Sequence, residues 1–176
     1  MNFEPGRTHF ELFGLPARYA LDTPSLERSF RELQAAVHPD RYASAPESEK
    51  RLSMQWATLV NEAYQTLRHP LRRAAYLLSL AGVDPHVETN TAMPAAFLVA
   101  QMELREELEE ASAAGDVARL EALEARARKE LDAAYAQIGG ELERAEHQAA
   151  AATLRRVMFL DRLREQAGDA IERAEA

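Results

Sequence analysis

Residues 38–40 combine three residue types that can each act in protein chemistry. His38 carries an imidazole, Pro39 rigidifies the backbone, and Asp40 carries a carboxylate. Such a triplet could be a catalytic acid–base pair, part of a metal site, an ordinary turn, or a contact surface for another protein. The rest of the chain has to decide between these interpretations.

Catalysis and metal binding are both disfavoured at this triplet. Adjacent positions across a proline rarely aim two side chains at one point, and no Ser or Cys nucleophile motif accompanies them. The chain has no cysteine, which excludes disulfides, thiolate catalysis and cysteine-ligated metals. Its 5 histidines fall on different predicted elements, without the spacing of a helical zinc motif. We expect no catalytic residue, metal or cofactor, while the ordinary turn stays open as an alternative.

Two antiparallel helices are predicted to flank the triplet. Residues 24–37 place apolar side chains at steps of three and four, and Pro39 then disfavours helical geometry at His38. Residues 38–45 therefore become an exposed loop, and Ser44–Glu47 has the spacing of a capping box that opens the next helix. The apolar stripe of that helix consists of Leu52, Trp56, Leu59, Val60, Ala63, Tyr64 and Leu67.

Short helices are predicted before and after this hairpin. The first runs from Thr8 to Phe13, where Thr8 and Glu11 have the spacing of a capping box, and the other spans about 71–80. Pro, Asn and Thr are then enriched, which indicates a domain boundary. The predicted limits are 1–82 for the first domain, 83–93 for a linker and 94–176 for the second domain.

The second half of the chain is rich in Ala, Glu and Arg and is predicted to form a three-helix bundle, with a turn at Gly115–Asp116. The apolar phase of the next helix continues past Gly139 and Gly140, so these residues can lie inside it despite their low helix propensity. The last turn falls somewhere from 139 to 148. The predicted fold class is all-α.

Charge and hydropathy restrict the partners. With 29 acidic and 21 basic residues, the formal net charge is -8, and no local basic surface suited to nucleic acid is evident. The N-terminal residues resemble neither a secretion signal nor a transit peptide, and no apolar run approaches the roughly 20 residues of a membrane span. We expect a cytoplasmic protein that binds neither nucleic acid nor membranes.

The order of helix, His-Pro-Asp loop and helix, with a short helix on each side, resembles the J-domain of DnaJ-type co-chaperones over residues 8 to about 82. The resemblance implies that the triplet is a rigid tip that docks on a heat-shock 70 chaperone and stimulates its ATPase. The second helix is often strongly basic in this family, and here Glu27 and Glu32 reduce its net positive charge. The implied chaperone-binding residues are His38, Pro39, Asp40, Arg28, Arg31 and Arg41.

Five sequence blocks in order carry a closer resemblance: HFELFGLPARYALD, LQAAVHPDRYAS, VNEAYQTLRHPLRRAAYLLSLAGVD, AFLVAQMELREELEE and MFLDRL. Through these blocks nearly the whole chain resembles one family of J-proteins, HscB, which serves bacterial iron–sulfur cluster assembly. The resemblance implies a non-enzymatic co-chaperone whose J-domain contacts an HscA-like chaperone and whose C-terminal bundle holds the IscU-like cluster scaffold. Some relatives have N-terminal zinc cysteines, which this chain lacks.

The first bundle helix also shows an apolar patch outside its core face. Phe97, Leu104 and Leu108 share the core face, with Gln101 beside them, whereas other apolar residues lie off it among carboxylates. Such a patch is typical of a partner surface, although it could instead pack internally. In the HscB family the matching positions bind the scaffold. They are Leu98, Val99, Met102, Glu103, Glu106, Glu110 and Phe159.

Two other functions stay open. A general J-protein that serves other clients would have the same first domain, and would be favoured if the patch were buried. A helical structural adaptor would need only the long bundle, and should form a stable oligomer that leaves chaperone ATPase activity unchanged.

Overall fold

The computed structural model describes residues 6–84 and 95–176, and every regular element in these ranges is helical. The predicted all-α fold class is confirmed. A short 3-10 turn, Pro39–Tyr42, lies between the second and third helices. The α-helices are α1 His9–Leu12, α2 Thr23–Val37, α3 Glu47–Arg68, α4 Pro70–Leu80, α5 Ala95–Ala114, α6 Val117–Glu143 and α7 His147–Glu175.

The chain divides into two compact units, Met1–Leu77 and Leu78–Ala176. The domain limits expected from the sequence, 1–82, 83–93 and 94–176, stay a prediction. Most of the predicted linker lies outside the described residues. None of the helices in the described ranges has the length and apolar character that a membrane crossing requires.

The N-terminal unit is held together by the apolar stripes of α2 and α3. Leu26 and Val37 of α2 are buried against the side of α3 that carries Val60 and Leu67. Phe30 stacks on Tyr64, with 3.9 Å between ring centroids. The carboxylate of Asp22 accepts the backbone N–H of Ser25 at 3.2 Å and caps α2, which begins at Thr23, one residue before the predicted start at residue 24.

The first helix follows its predicted cap. The Thr8 hydroxyl accepts the backbone N–H of Glu11 at 3.2 Å, and the Glu11 carboxylate accepts the backbone N–H of Thr8 at 2.7 Å. This reciprocal pair satisfies two backbone donors that the helix itself cannot use. The capping box predicted from the spacing is therefore confirmed, and it fixes α1 so that Phe10 and Phe13 are buried in the core.

The beginning of α3 differs from the prediction. Pro46 occupies the N-cap and no side chain caps the helix, so the predicted Ser44–Glu47 capping box does not form. Leu52, which we predicted as part of the apolar stripe, is also exposed. At 100° per residue it lies roughly 75° from the centre of the buried face of α3, which is formed by Ser53, Val60, Ala63, Tyr64 and Leu67.

The C-terminal unit consists of α5, α6 and α7, and its predicted three-helix organisation is confirmed. Its core is formed by Leu108 and Ala111 of α5, Leu120 and Leu123 of α6, and Leu163 of α7. The paired helices α6 and α7 continue this core with further buried apolar side chains. These include Leu131, Ala134, Ile138, Ala150, Leu154, Val157 and Leu160.

The turn between α6 and α7 lies at residues 144–146, within the predicted range 139–148. Gly139 and Gly140 lie inside α6, as the apolar phase indicated. The backbone N–H of Glu146 donates to Glu141 O at 2.9 Å, and that of Ala145 donates to Leu142 O at 3.1 Å. These two bonds form a Schellman motif that closes the helix.

Candidate partner-binding sites

The His-Pro-Asp tip is ordered by local hydrogen bonds. His38 adopts φ −59° and ψ 128°, the extended geometry that a following proline favours, so α2 ends at Val37. The 3-10 turn then begins at Pro39, and His38 Nδ1 accepts the backbone N–H of Asp40 at 3.3 Å. Two side chains, Arg41 and Tyr42, donate back to the last turn of α2, at 3.3 Å to Ala35 O and 3.4 Å to Ala36 O.

These contacts fix the backbone of the tip without burying its polar side chains. The side chain of His38 is 53% exposed and that of Asp40 is 90% exposed, and 3.5 Å separates Nδ1 from the nearer carboxylate oxygen. Catalytic acid–base pairs work in concave sites that perturb their pKa values, whereas both of these groups face water. The tip is therefore a rigid polar surface that faces solvent.

The predicted arginines are all exposed, but only Arg41 belongs to the tip. Arg28 and Arg31 lie on the face of α2 opposite Leu26. The Arg28 guanidinium donates to Ser25 Oγ at 2.9 Å, which holds it near the first turn of the helix, away from the tip. The guanidinium of Arg41 is partly engaged by Ala35 O.

The predicted apolar patch lies on the exposed side of α5. Val99 is 53% exposed and Met102 is 63% exposed, and Leu98 is exposed beside them. Leu104 and Leu108 instead point to the bundle core. This exposure argues against the alternative in which the patch packs internally. Three exposed carboxylates border it, those of Glu103, Glu106 and Glu110.

The acidic border is mostly open to a partner. Glu110 forms an exposed ion pair with Arg119 of α6, at 3.3 Å between Oε2 and Nη2. Exposed pairs of this kind contribute little stability, so Glu110 can exchange this partner at low cost. Glu103 and Glu106 lie one helical turn apart on the same side as Met102. The patch therefore suits a partner surface that is apolar at its centre and basic at its edge.

Phe159 occupies a different environment from the α5 residues of the predicted site. It belongs to α7 and is half-buried, with its ring edge-on to Phe97 at 6.2 Å between centroids. The guanidinium of Arg105 lies 5.7 Å from the centre of the same ring. Phe159 thus packs where α5 and α7 meet. The α5 residues of the predicted site, Leu98, Val99 and Met102, are instead exposed to solvent.

A groove between α5 and the α6–α7 pair was not predicted from the sequence. It encloses about 400 Å³, with Phe97, Leu104 and Phe159 among its apolar lining. Its polar wall includes the ion pair between Arg156 and Glu130, at 3.0 Å. The lining residues come from three helices, and helical periodicity cannot show which residues of different helices meet.

No three His, Asp or Glu side chains in residues 6–84 and 95–176 converge in an arrangement suited to a metal ion. His69 and His147 lie at the ends of different helices, His38 is at the tip, and His9 packs on Tyr76. His86 lies outside the described residues.

Comparison with known proteins decides the family. A co-chaperone protein HscB homolog from Burkholderia mallei is 52% identical over 168 residues, which cover 96% of this chain and 96% of the relative. The chain belongs to the HscB co-chaperone family. The HscB homolog of Paraburkholderia xenovorans is 49% identical over the same length. The family model for the HSCB C-terminal oligomerisation domain matches residues 93–168.

Solved HscB structures have the same fold. Chaperone HscB from Vibrio cholerae matches with a TM-score of 0.81 and 39% identity, covering 96% of this chain and 99% of that protein. Human co-chaperone protein HscB matches with a TM-score of 0.86 and 29% identity, covering 94% of this chain and 82% of that protein. The predicted HscB-type fold, a J-domain followed by a helical domain, is therefore confirmed.

Proposed function

We propose that this HscB-family chain is a cytoplasmic co-chaperone with one partner site on each domain. The first domain contacts a heat-shock 70-type chaperone, HscA-like, and stimulates its ATP hydrolysis. The second domain binds an IscU-like scaffold for iron–sulfur clusters and delivers it to the chaperone. Holding both partners on one chain raises the effective concentration of scaffold at the chaperone. The catalysis belongs to the chaperone, and the domain limits are 1–82 and 94–176, with a linker at 83–93.

The observation that carries this proposal is the exposed, locally fixed His-Pro-Asp tip in a chain of this family. A contact tip needs its polar groups free for the partner and its backbone already ordered, because ordering on binding would reduce affinity. His38 and Asp40 meet the first condition, and the bonds of Arg41 and Tyr42 to α2 meet the second. Arg28 and Arg31 add positive charge that steers an acidic chaperone surface to the tip.

The exposed patch on α5 supports the scaffold site. Leu98, Val99 and Met102 place apolar area in water although α5 has a separate core face, and such area is stabilised when a partner covers it. The surrounding carboxylates add specificity, because a basic partner rim gains favourable charge pairs there. Phe159 contributes from α7, where it meets α5.

Calorimetric titration of the scaffold protein into a patch variant tests this site. The variant replaces Leu98, Val99 and Met102 by Ala and leaves Phe159 in place, because Phe159 also packs on Phe97. Removing three apolar contacts should weaken scaffold binding at least tenfold, or about 1.4 kcal/mol. Since the side chains are exposed, the helical circular dichroism and the melting temperature should change little.

A matched control removes exposed apolar area elsewhere. Leu52 and Met54 lie exposed on α3, and replacing both by Ala should leave scaffold affinity unchanged. Unchanged affinity in the patch variant would move the proposal to a general J-protein that serves other clients. A chain that forms a stable oligomer and leaves chaperone ATPase activity unchanged would instead be a helical structural adaptor.

A further inference from the structure

A second groove, of about 570 Å³, lies between α5 and α7 of the C-terminal unit, and three arginines line it. Arg105 comes from α5, whereas Arg162 and Arg173 come from α7, and all three are exposed. Phe159 contributes apolar surface, and Glu109 is the one carboxylate in the lining. The groove therefore has an excess of two positive charges in a chain whose net charge is -8.

These arginines differ from other arginines of the same unit in their pairing. Within the described ranges none of the three forms an ion pair with a carboxylate: Arg105 lies over the Phe159 ring, and Arg173 donates to the backbone oxygen of Asp169 at 3.0 Å. The three guanidinium groups are thus unpaired with carboxylates in the described ranges, although carboxylates are in excess along the chain. Ion pairs elsewhere in the unit join Arg119 to Glu110, Arg126 to Glu107, Arg128 to Glu124, Arg144 to Glu146, Arg156 to Glu130 and Arg164 to Asp161.

The spacing of the arginines indicates the kind of anion. Arg162 and Arg173 are 11 residues apart on α7, which places their Cα atoms about 16 Å apart at 1.5 Å per residue. Several carboxylates along one chain can meet guanidinium groups that are spread along the helix in this way. An extended peptide rises about 3.3 Å per residue, so roughly five residues cover it. The half-buried ring of Phe159 offers contact to an apolar side chain of the same peptide.

We propose that the groove binds an extended acidic segment of a partner protein, with carboxylates on the guanidinium groups and an apolar side chain against Phe159. Arg105 and Arg162 hold one end of the segment and Arg173 holds the other. Planar guanidinium groups suit carboxylates because they can donate two parallel hydrogen bonds. The acidic border of the apolar patch on α5 then favours a basic partner surface, whereas this groove favours an acidic one. The groove shares Phe159 with the proposed scaffold face, whereas its three arginines are not among the residues assigned to that face.

Fluorescence anisotropy of the full-length protein tests the groove with a labelled six-residue peptide. The peptide carries two acidic residues at each end and two leucines in the middle. Replacing Arg105 and Arg162 together by Gln should weaken its binding about tenfold, because each exposed charge pair contributes modestly. Binding to the parent protein should also weaken as salt rises from about 0.05 to about 0.3 M.

A charge-matched control distinguishes specific binding in the groove from nonspecific electrostatic attraction of the peptide to the protein. Arg128 and Arg144 lie outside the groove and are exposed, so replacing both by Gln removes the same charge and should leave peptide affinity unchanged. Circular dichroism confirms that each variant is folded. Equal binding by the groove variant and the parent would overturn the proposal, and so would equal binding of a peptide with amides in place of the carboxylates. Displacement of the peptide by inorganic phosphate at lower concentration than by unlabelled peptide would show a small-anion site instead.

Discussion

At the residue scale, His9 makes the packing of α1 depend on pH. Its ring stacks on Tyr76, with 4.2 Å between centroids, and its backbone N–H donates to the Tyr76 hydroxyl at 2.9 Å. Its Nδ1 is buried with no hydrogen-bond partner among the described residues. Burial lowers the pKa of His9 below the usual 6.5, and the Glu62 carboxylate offsets only part of this shift. The folded chain thus favours the neutral imidazole.

The consequence for stability follows from linkage. The unfolded state binds a proton at His9 more readily than the folded state does. The contribution of neutral His9 to the free energy of unfolding is therefore fully present above pH 6.5, and it is lost as the pH falls through the lower folded-state pKa. The parent protein should therefore melt at a lower temperature at pH 5.5 than at pH 7.5. In His9→Phe, which keeps an aromatic ring for Tyr76, this pH-dependent fall should shrink. Equal falls measured by circular dichroism would show that His9 does not carry the effect.

At the element scale, helix ends show what the sequence could and could not predict. Gly14, Gly82 and Gly115 have positive φ values just after α1, α4 and α5, and these helices end close to the predicted positions, Phe13, about residue 80 and the turn at Gly115. The end of α6 was predicted only to a ten-residue range, 139–148. Its Schellman motif places an alanine, Ala145, at the left-handed position with φ 56°, where a glycine would have marked the end in the sequence. The nearest glycines, 139 and 140, lie inside the helix.

A substitution at this turn has a clear expected effect. A non-glycine residue in the left-handed region is strained by its Cβ, whereas glycine is not. Ala145→Gly should therefore raise the free energy of unfolding by about 0.5–1 kcal/mol, after part of the gain is offset by the greater freedom of unfolded glycine. Urea unfolding measures it. The matched control, Ala133→Gly at an exposed position inside α6, should lower stability by about 0.5–1 kcal/mol, and a loss in both variants would contradict the account.

Capping spacing alone was also an incomplete guide. Thr8 and Glu11 form the predicted capping box, whereas Ser44 and Glu47 have the same spacing and do not. Pro46 takes the N-cap of α3 with its fixed φ, so Ser44 lies two residues outside the helix, too early to cap it. The proline just before Glu47 therefore prevents the capping box from forming.

At the scale of the whole molecule, periodicity and composition predicted the helices and their order. They placed Leu98, Val99 and Met102 off the core face of α5 but left open whether these residues pack internally. They could not show that Phe159 packs on Phe97, nor that Arg105 meets the arginines of α7 in one groove. Both features depend on which faces of separate helices meet, and that information lies in tertiary packing. The tip at 38–40 was predictable because it is a local feature set by one proline.

We propose that the tip activates a partner ATPase while a separate surface holds the scaffold. Single-turnover ATP hydrolysis by an HscA-like chaperone tests it with the parent protein, Asp40→Asn and Glu47→Gln. Asp40 and Glu47 are similarly exposed, at 90% and 88% of the side chain, so both substitutions should change stability by no more than about 0.5 kcal/mol.

We expect Asp40→Asn to lose nearly all stimulation of hydrolysis and to keep its scaffold affinity, whereas Glu47→Gln should stimulate like the parent. The patch variant at 98, 99 and 102 should still stimulate the chaperone alone, and should lose the additional stimulation that scaffold gives to the parent. Stimulation by Asp40→Asn equal to that of the parent would contradict the account.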